Sequence, residues 1–222
     1  GAAADIARAV VIAKIANCRT VLQRVLRDHS NHPEPEPVRQ AIARLARILD
    51  KTRDPLPLEI VRGREGEAAN AYFGVFNHLI VAQKEGFYFH ERSRRPPLDR
   101  MNALLSFLYT LLTHDVRSAL ETVGLDPAVG YLHRDRPGRP GLALDLREEF
   151  RPVLADRLAL SLVNRQQLKA KGFKETETGA VMMDDDTRKE LLVAYQNRKK
   201  EEIQRPFLGE KVAIGLLPHV QA

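Results

Sequence analysis

The chain has 222 residues, with 35 Lys and Arg against 29 Asp and Glu, and a formal net charge of +6. Its 44% hydrophobic content can bury the core of one large domain, and a single cysteine, Cys18, excludes a disulfide framework or a thiolate metal centre within one chain. No apolar run reaches the roughly 18 residues a membrane span needs, so the expectation is a chain in a reducing, cytoplasmic setting with a polyanionic partner.

Residues 3–27 carry Ile6, Val10, Ile12, Ile15, Val21, Leu22 and Val25 at helical spacing, which predicts a long amphipathic helix. Three prolines break the pattern across 29–37, and a helix resumes over 38–52. Pro55 and Pro57 predict the start of a third helix that carries Glu65 and runs to about Val81. Residues 84–97 lack periodicity and predict a surface loop rich in Phe, Tyr and Arg. Pro97 and Asp99 then open a strongly apolar helix containing Met101, Leu104, Leu105, Phe107, Leu108, Leu111 and Leu112, ending near Gly124.

A short apolar segment, 129–133, leads into a loop with Pro137, Gly138, Pro140 and Gly141, followed by a helix over about 142–164 that Pro152 bends. Residues 173–183 alternate around Gly179 and predict a hairpin; Asp184 and its acidic neighbours cap a charged helix running toward Arg205. The predicted fold class is all-α with one minor β-hairpin, a helical domain over 1–205 and a C-terminal tail over 206–222.

Three separated segments hold the residues suited to chemistry. Glu65 lies in a helix with Gly66, Ala68 and Ala69, small residues that permit close approach, and Tyr72 lies two turns on. His133 ends the apolar segment before the Pro/Gly/Arg loop; alone, it suits a hydrogen-bonded polar residue as well as a ligand. The six other histidines have no better setting, and His29 and His32 read as surface residues. Asp145 and Glu148 are three apart on one helix face, where two carboxylates repel unless a divalent metal, or Arg147 and Arg151, lies between them. A Glu, a His and a second carboxylate suit Mg²⁺ or Mn²⁺, the imidazole shifting the preference toward manganese. Arginines cluster at 92, 94, 95 and 100 and again at 134, 136, 139, 147 and 151, and could hold phosphates in line.

Read in order, Glu65-Gly66 with Ala68-Ala69 and Tyr72-Phe73, then Arg94-Arg95-Pro96-Pro97-Leu98-Asp99 and Asn102-Ala103-Leu104-Leu105-Ser106-Phe107, carry a resemblance. Gly124-Leu125-Asp126-Pro127, Gly130, Leu132-His133 and Leu142-Ala143-Leu144-Asp145-Leu146 with Glu148, Phe150 and Arg151 extend it. The chain resembles the CRISPR spacer-acquisition integrase, the CRISPR-associated (Cas) protein numbered one, in its C-terminal helical catalytic lobe. The family's N-terminal β-rich domain has no counterpart in this sequence.

The resemblance implies Glu65, His133 and Glu148 as metal ligands, Asp145 as a supporting catalytic acid, and Arg94, Arg95, Arg151, Asn102 and Ser106 as DNA-binding or site-lining residues. It implies metal-dependent transesterification, in which a DNA 3′-hydroxyl attacks a phosphodiester at the edge of a CRISPR repeat. The implied partners are double-stranded DNA (prespacer and repeat), a second copy of the protein, a small dimeric adaptation subunit, and an iron–sulfur trimming nuclease, fused or separate. The rival reading is a non-enzymatic basic helical scaffold for nucleic acid, which explains the arginines but not carboxylates placed among them.

Overall fold

A computed structural model describes residues 1–134, 136–204 and 211–213. Seven α-helices are described: α1 (Ala2–Asp28), α2 (Pro35–Thr52), α3 (Leu58–Phe73), α4 (Arg100–Thr122), α5 (Gly141–Phe150), α6 (Arg157–Asn164) and α7 (Asp185–Lys200). Strands β1 (Phe173–Glu175) and β2 (Val181–Met183) pair antiparallel, Phe173 opposite Met183, as the alternation around Gly179 predicts. A second pair, β3 (Glu202–Gln204) with β4 (Lys211–Ala213), was not expected. It joins residues on either side of the expected 205/206 boundary, and the rest of that tail, with His219, lies outside the described residues. Among the described residues no helix is long and apolar enough to cross a membrane.

The core forms where apolar stripes of α1, α2, α3, α4 and α6 meet. Val11, Ile15 and Leu22 of α1, Val38 and Leu45 of α2, Val61 of α3, and Leu104, Leu105 and Leu108 of α4 are wholly buried. Each such side chain withdrawn from water contributes roughly 1.5–3 kcal/mol before entropic costs. Asp99 starts α4 as its N-cap, its carboxylate accepting the Asn102 N–H at 2.7 Å. The far end closes on Gly124 at φ 78°, with Leu125 N–H donating to the Leu120 carbonyl, a turn that favours glycine.

Three predictions in the first half of the chain needed correction. The third helix stops at Phe73 rather than near Val81, and a 3₁₀ turn, Phe76–Leu79, follows. That tighter turn drives Phe76 and Leu79 fully into the core. The 84–97 loop is not wholly superficial: Phe87 and Phe89 are buried, Phe89 packing 4.9 Å from the Phe76 ring and Phe87 5.5 Å from Phe173. Aromatic burial therefore anchors a loop that has no periodicity to announce it. His32 is also buried, hydrogen bonded to the His78 carbonyl at 2.6 Å and to Glu34 N–H at 3.1 Å, so it pins the α1–α2 turn rather than facing solvent.

The helix expected to bend at Pro152 is split instead. Residues Arg151–Asp156 form a π-helical turn between α5 and α6. Pro152 has no N–H to donate, and the widened turn absorbs the loss while turning both Arg151 and Asp156 into the interior.

The loop between α4 and α5 is pinched at its base by Gly130 and Gly141. A Cβ on Gly130 would sit 2.8 Å from the Gly141 carbonyl carbon, and one on Gly141 would sit 2.8 Å from the Ala128 carbonyl oxygen. The same neck caps α5: Leu142 and Ala143 N–H groups donate to the Pro127 carbonyl at 2.9 and 3.2 Å.

Candidate functional site

Glu65 on α3 and Glu148 on α5, 83 positions apart, meet around one cation. That cation is Lys14, from the middle of α1. Its Nζ donates to Glu65 Oε1 and, at 2.5 Å, to Glu148 Oε2. Lys14 is 2% exposed and Glu148 3%, whereas the Glu65 side chain keeps 29% of its surface in solvent. Glu148 also accepts from Arg147 at 3.0 Å and from Arg151 at 3.1 Å. Burial alone would push the Glu148 carboxyl upward; the charges of Arg151, Lys14 and Arg147 outweigh it and hold the group well below the usual carboxylate range.

Asp145 does not share that cation. It is 1% exposed and accepts four hydrogen bonds, from the Tyr131, Leu132 and His133 backbone N–H groups at 2.6, 2.9 and 2.9 Å and from His133 Nδ1 at 2.6 Å. One carboxylate thus organises the backbone of the 131–133 segment and fixes the imidazole. With Nδ1 donating to Asp145, Nε2 is left with its lone pair, the arrangement in which a histidine ligates a metal.

The donor chemistry fits a divalent ion: two carboxylates already converge on a positive charge, and an oriented imidazole lies in the neighbouring segment. Even so, among the described residues no three His, Cys, Asp or Glu side chains stand together as a ready-made metal cluster. The structure brings Glu65 and Glu148 to one cation, and His133 to Asp145.

Arg147 and Arg151, the arginine partners of Glu148, also line a cavity of about 850 Å³, together with Arg92, Arg94, Arg95, Arg136 and Arg139 and with Ser106 and Tyr109. Both predicted arginine clusters contribute, which their separation in sequence concealed. Arg100 and Arg134 do not; the first donates to the Gly86 carbonyl and the second pairs with Glu59. Arg94 and Arg95 are exposed and available, and Ser106 lines the cavity while accepting from Arg92 at 3.1 Å.

Two expected DNA contacts are placed differently. Asn102 is fully buried, its amide spent on Arg92, Ser93, Glu91 and Asp99, so it braces the 91–99 loop and cannot reach a nucleic acid. Arg151 is 3% exposed and committed to Glu148; it reaches the cavity only as part of its wall.

Tyr109 completes the wall, with the buried Asp156 behind it, and neither was assigned a part from spacing. Asp156, fully buried, accepts from Tyr109 at 2.5 Å and Tyr72 at 3.0 Å, and burial raises its carboxyl above the ordinary value. The Tyr109 ring held in this way lies under three guanidiniums, those of Arg151, Arg92 and Arg147 at 4.8, 5.0 and 5.7 Å.

The family model described as CRISPR associated protein Cas1 matches residues 1–197. A CRISPR-associated endonuclease Cas1 of Chlorobaculum tepidum is 58% identical over 219 residues, covering 99% of this chain and 64% of the relative. Its counterpart in Leptospira interrogans is 48% identical over 218 residues, covering 98% of this chain and 85% of the relative. In a solved partial Cas6-RT-Cas1–Cas2 complex, one chain superposes with a TM-score of 0.82 at 26% identity, over 99% of this chain and 62% of that one. The chain therefore spans somewhat under two thirds of the Chlorobaculum relative's length and most of the Leptospira relative's. Matched by the family model over 197 of its 222 residues, the chain belongs to the Cas1 family.

Proposed function

We propose that this chain is the catalytic lobe of a divalent-metal-dependent DNA endonuclease and integrase that inserts short DNA fragments into a CRISPR array. The observation that carries the reading is the meeting of Glu65 and Glu148 around a single positive charge, with the two arginine partners of Glu148 among seven arginines that line one cavity. A basic nucleic-acid scaffold accounts for the arginines but gives no part to two acids drawn together on one cation beside them.

Glu65, Glu148 and the Nε2 of His133 would hold Mg²⁺ or Mn²⁺. Such an ion, when bound, supplies Lewis acidity to a phosphodiester and lowers the pKa of an attacking hydroxyl. The chain's own residues do the rest. Arg94, Arg95, Arg136 and Arg139 attract and orient the DNA backbone, whose phosphates fit a cationic basin of this size. Asp145 keeps the His133 ring in one tautomer and one orientation. Arg147, stacked on Tyr109, presents a fixed positive charge where charge accumulates on a transferring phosphoryl group.

A DNA 3′-hydroxyl as nucleophile gives joining, and water in its place gives nicking. The partners that follow are prespacer and repeat DNA, a second copy of the protein, and a small dimeric adaptation subunit; the likeness to a Cas1–Cas2 assembly supports the last. An iron–sulfur trimming nuclease would have to bring its own cluster, since this chain has one cysteine. A strand-joining assay on branched DNA with Mg²⁺ or Mn²⁺ tests the reading. Wild-type protein joins strands, and Glu65→Ala, His133→Ala and Glu148→Ala bind DNA without joining it; full activity in any of the three overturns that residue's assignment.

A further inference from the structure

Lys14 belongs to none of the motifs that mark the site, yet it touches two of the three proposed ligands. It lies on the buried stripe of α1 between Val10, Val11, Ile15 and Cys18, positions that helical packing reserves for apolar side chains. A lysine there is costly unless its ammonium is neutralised, and the neutralising groups are Glu65 and Glu148.

We propose that Lys14 is a built-in occupant of the cation position: its ammonium holds Glu65 and Glu148 together in the metal-free protein and withdraws when a divalent ion takes its place. This rests on the metal reading above and adds to it an exchange step.

Four observations carry the inference. The ammonium contacts one oxygen of each carboxylate, so it fills the point at which a single ion shared by both would have to sit. Two cations cannot both occupy a position in direct contact with the same two oxygens, because their repulsion at that range is unscreened by water. Lysine is also the residue suited to leaving: its charge is compact and carried on a flexible four-carbon stem, unlike the rigid fork of arginine. Finally, the remaining charges survive the exchange. Arg147 and Arg151 stay on Glu148, whereas Lys14 is the one cationic partner of Glu65 among the described residues, and Glu65 is the more solvent-accessible of the two acids.

Manganese titration calorimetry on wild type and Lys14→Met, a length-matched neutral substitution, tests the proposal. Removal of the competing charge is expected to tighten Mn²⁺ binding at least tenfold. The variant should also melt earlier than wild type in EDTA and recover with Mn²⁺ by a larger margin than wild type gains. Lys14→Arg, which keeps the charge on a stiffer head, should bind Mn²⁺ no more tightly than wild type. If Lys14→Met fails to fold without metal, a structure of Mn²⁺-loaded wild type decides: the ammonium must have left at least one of the two carboxylates. Unchanged or weaker Mn²⁺ affinity in Lys14→Met, or a loaded structure with the lysine still bridging both acids, overturns the exchange while leaving the ligand assignment intact. If neither wild type nor Lys14→Met takes up Mn²⁺, the ligand assignment itself fails, and the exchange with it.

Discussion

Asp145 accepts both hydrogen-bonding N–H groups of His133: the backbone N–H at 2.9 Å and the ring Nδ1–H at 2.6 Å, on the same Oδ1. Main chain and side chain of the histidine are therefore fixed by one oxygen atom. Asp145→Asn keeps the volume but confronts three backbone donors and an imidazole donor with an amide that is half donor itself. Mn²⁺ affinity is expected to fall about 10–100-fold, the usual cost of losing a partner behind a metal-bound histidine. Calorimetry reads it directly, and an affinity within a factor of two of wild type would show that His133 orients itself.

Arg94 and Arg95 are exposed, and among the described residues their side chains hold no hydrogen-bond or ion-pair partner. Arg94→Ala and Arg95→Ala should leave thermal stability within about 0.5 kcal/mol of wild type. Each lost phosphate contact should flatten the dependence of log affinity on log salt by about 0.9 on duplex DNA. A salt titration of DNA binding measures the slope; unchanged slopes in both variants would remove these arginines from the interface.

Tyr109 separates two effects that Asp156 combines. Tyr109→Phe keeps the aromatic platform under Arg92, Arg147 and Arg151 and deletes one buried hydrogen bond, so DNA affinity should hold while stability falls by about 1 kcal/mol. Asp156→Ala leaves the Tyr72 and Tyr109 hydroxyls both without their acceptor, at about 1–3 kcal/mol each. Chemical denaturation of the two variants compares them, and equal losses would mean that the carboxylate holds only one tyrosine.

Cys18 is buried on α1, and burial pushes its thiol up to about 12. At pH 8 the reactive thiolate fraction is then on the order of 10⁻⁴, and access is closed as well. A thiol-specific chromogenic reagent should label Cys18 only as fast as the chain unfolds. Rapid stoichiometric labelling of native protein would show that the packing around α1 opens locally.

The helical periodicity of α1, α2 and α4 was legible because each buries one continuous stripe, and the Asp99 and Asp184 caps were legible because capping chemistry is local. What escaped was set by distant packing. Phe87 and Phe89 looked like loop residues because nothing within the loop shows that Phe76 and Phe173 await them. Asn102 looked like a site residue because the resemblance placed it among them, and its four partners come from the preceding loop and turn.

The site divides the same way. Glu65, His133, Asp145 and Glu148 were put forward from residue type together with resemblance. Lys14 was missed, although a signal existed: it occupies the position between Val10 and Cys18 in a four-residue apolar frame, where a charge needs explaining. Asp156 carried a weaker version of that signal, because Pro152 obscured which face of the helix it occupies.

The Gly130–Gly141 pinch has a consequence for how damage to this protein would read in an assay. Neither glycine has a side chain to offer an ion or a phosphate, yet a methyl group added at either forces apart the two chain segments on which the Asp145–His133 pairing depends. A genetic screen for lost joining would therefore recover these silent hinges beside the acids themselves. Only a normal melting curve paired with weakened manganese uptake would tell the two kinds of lesion from general misfolding.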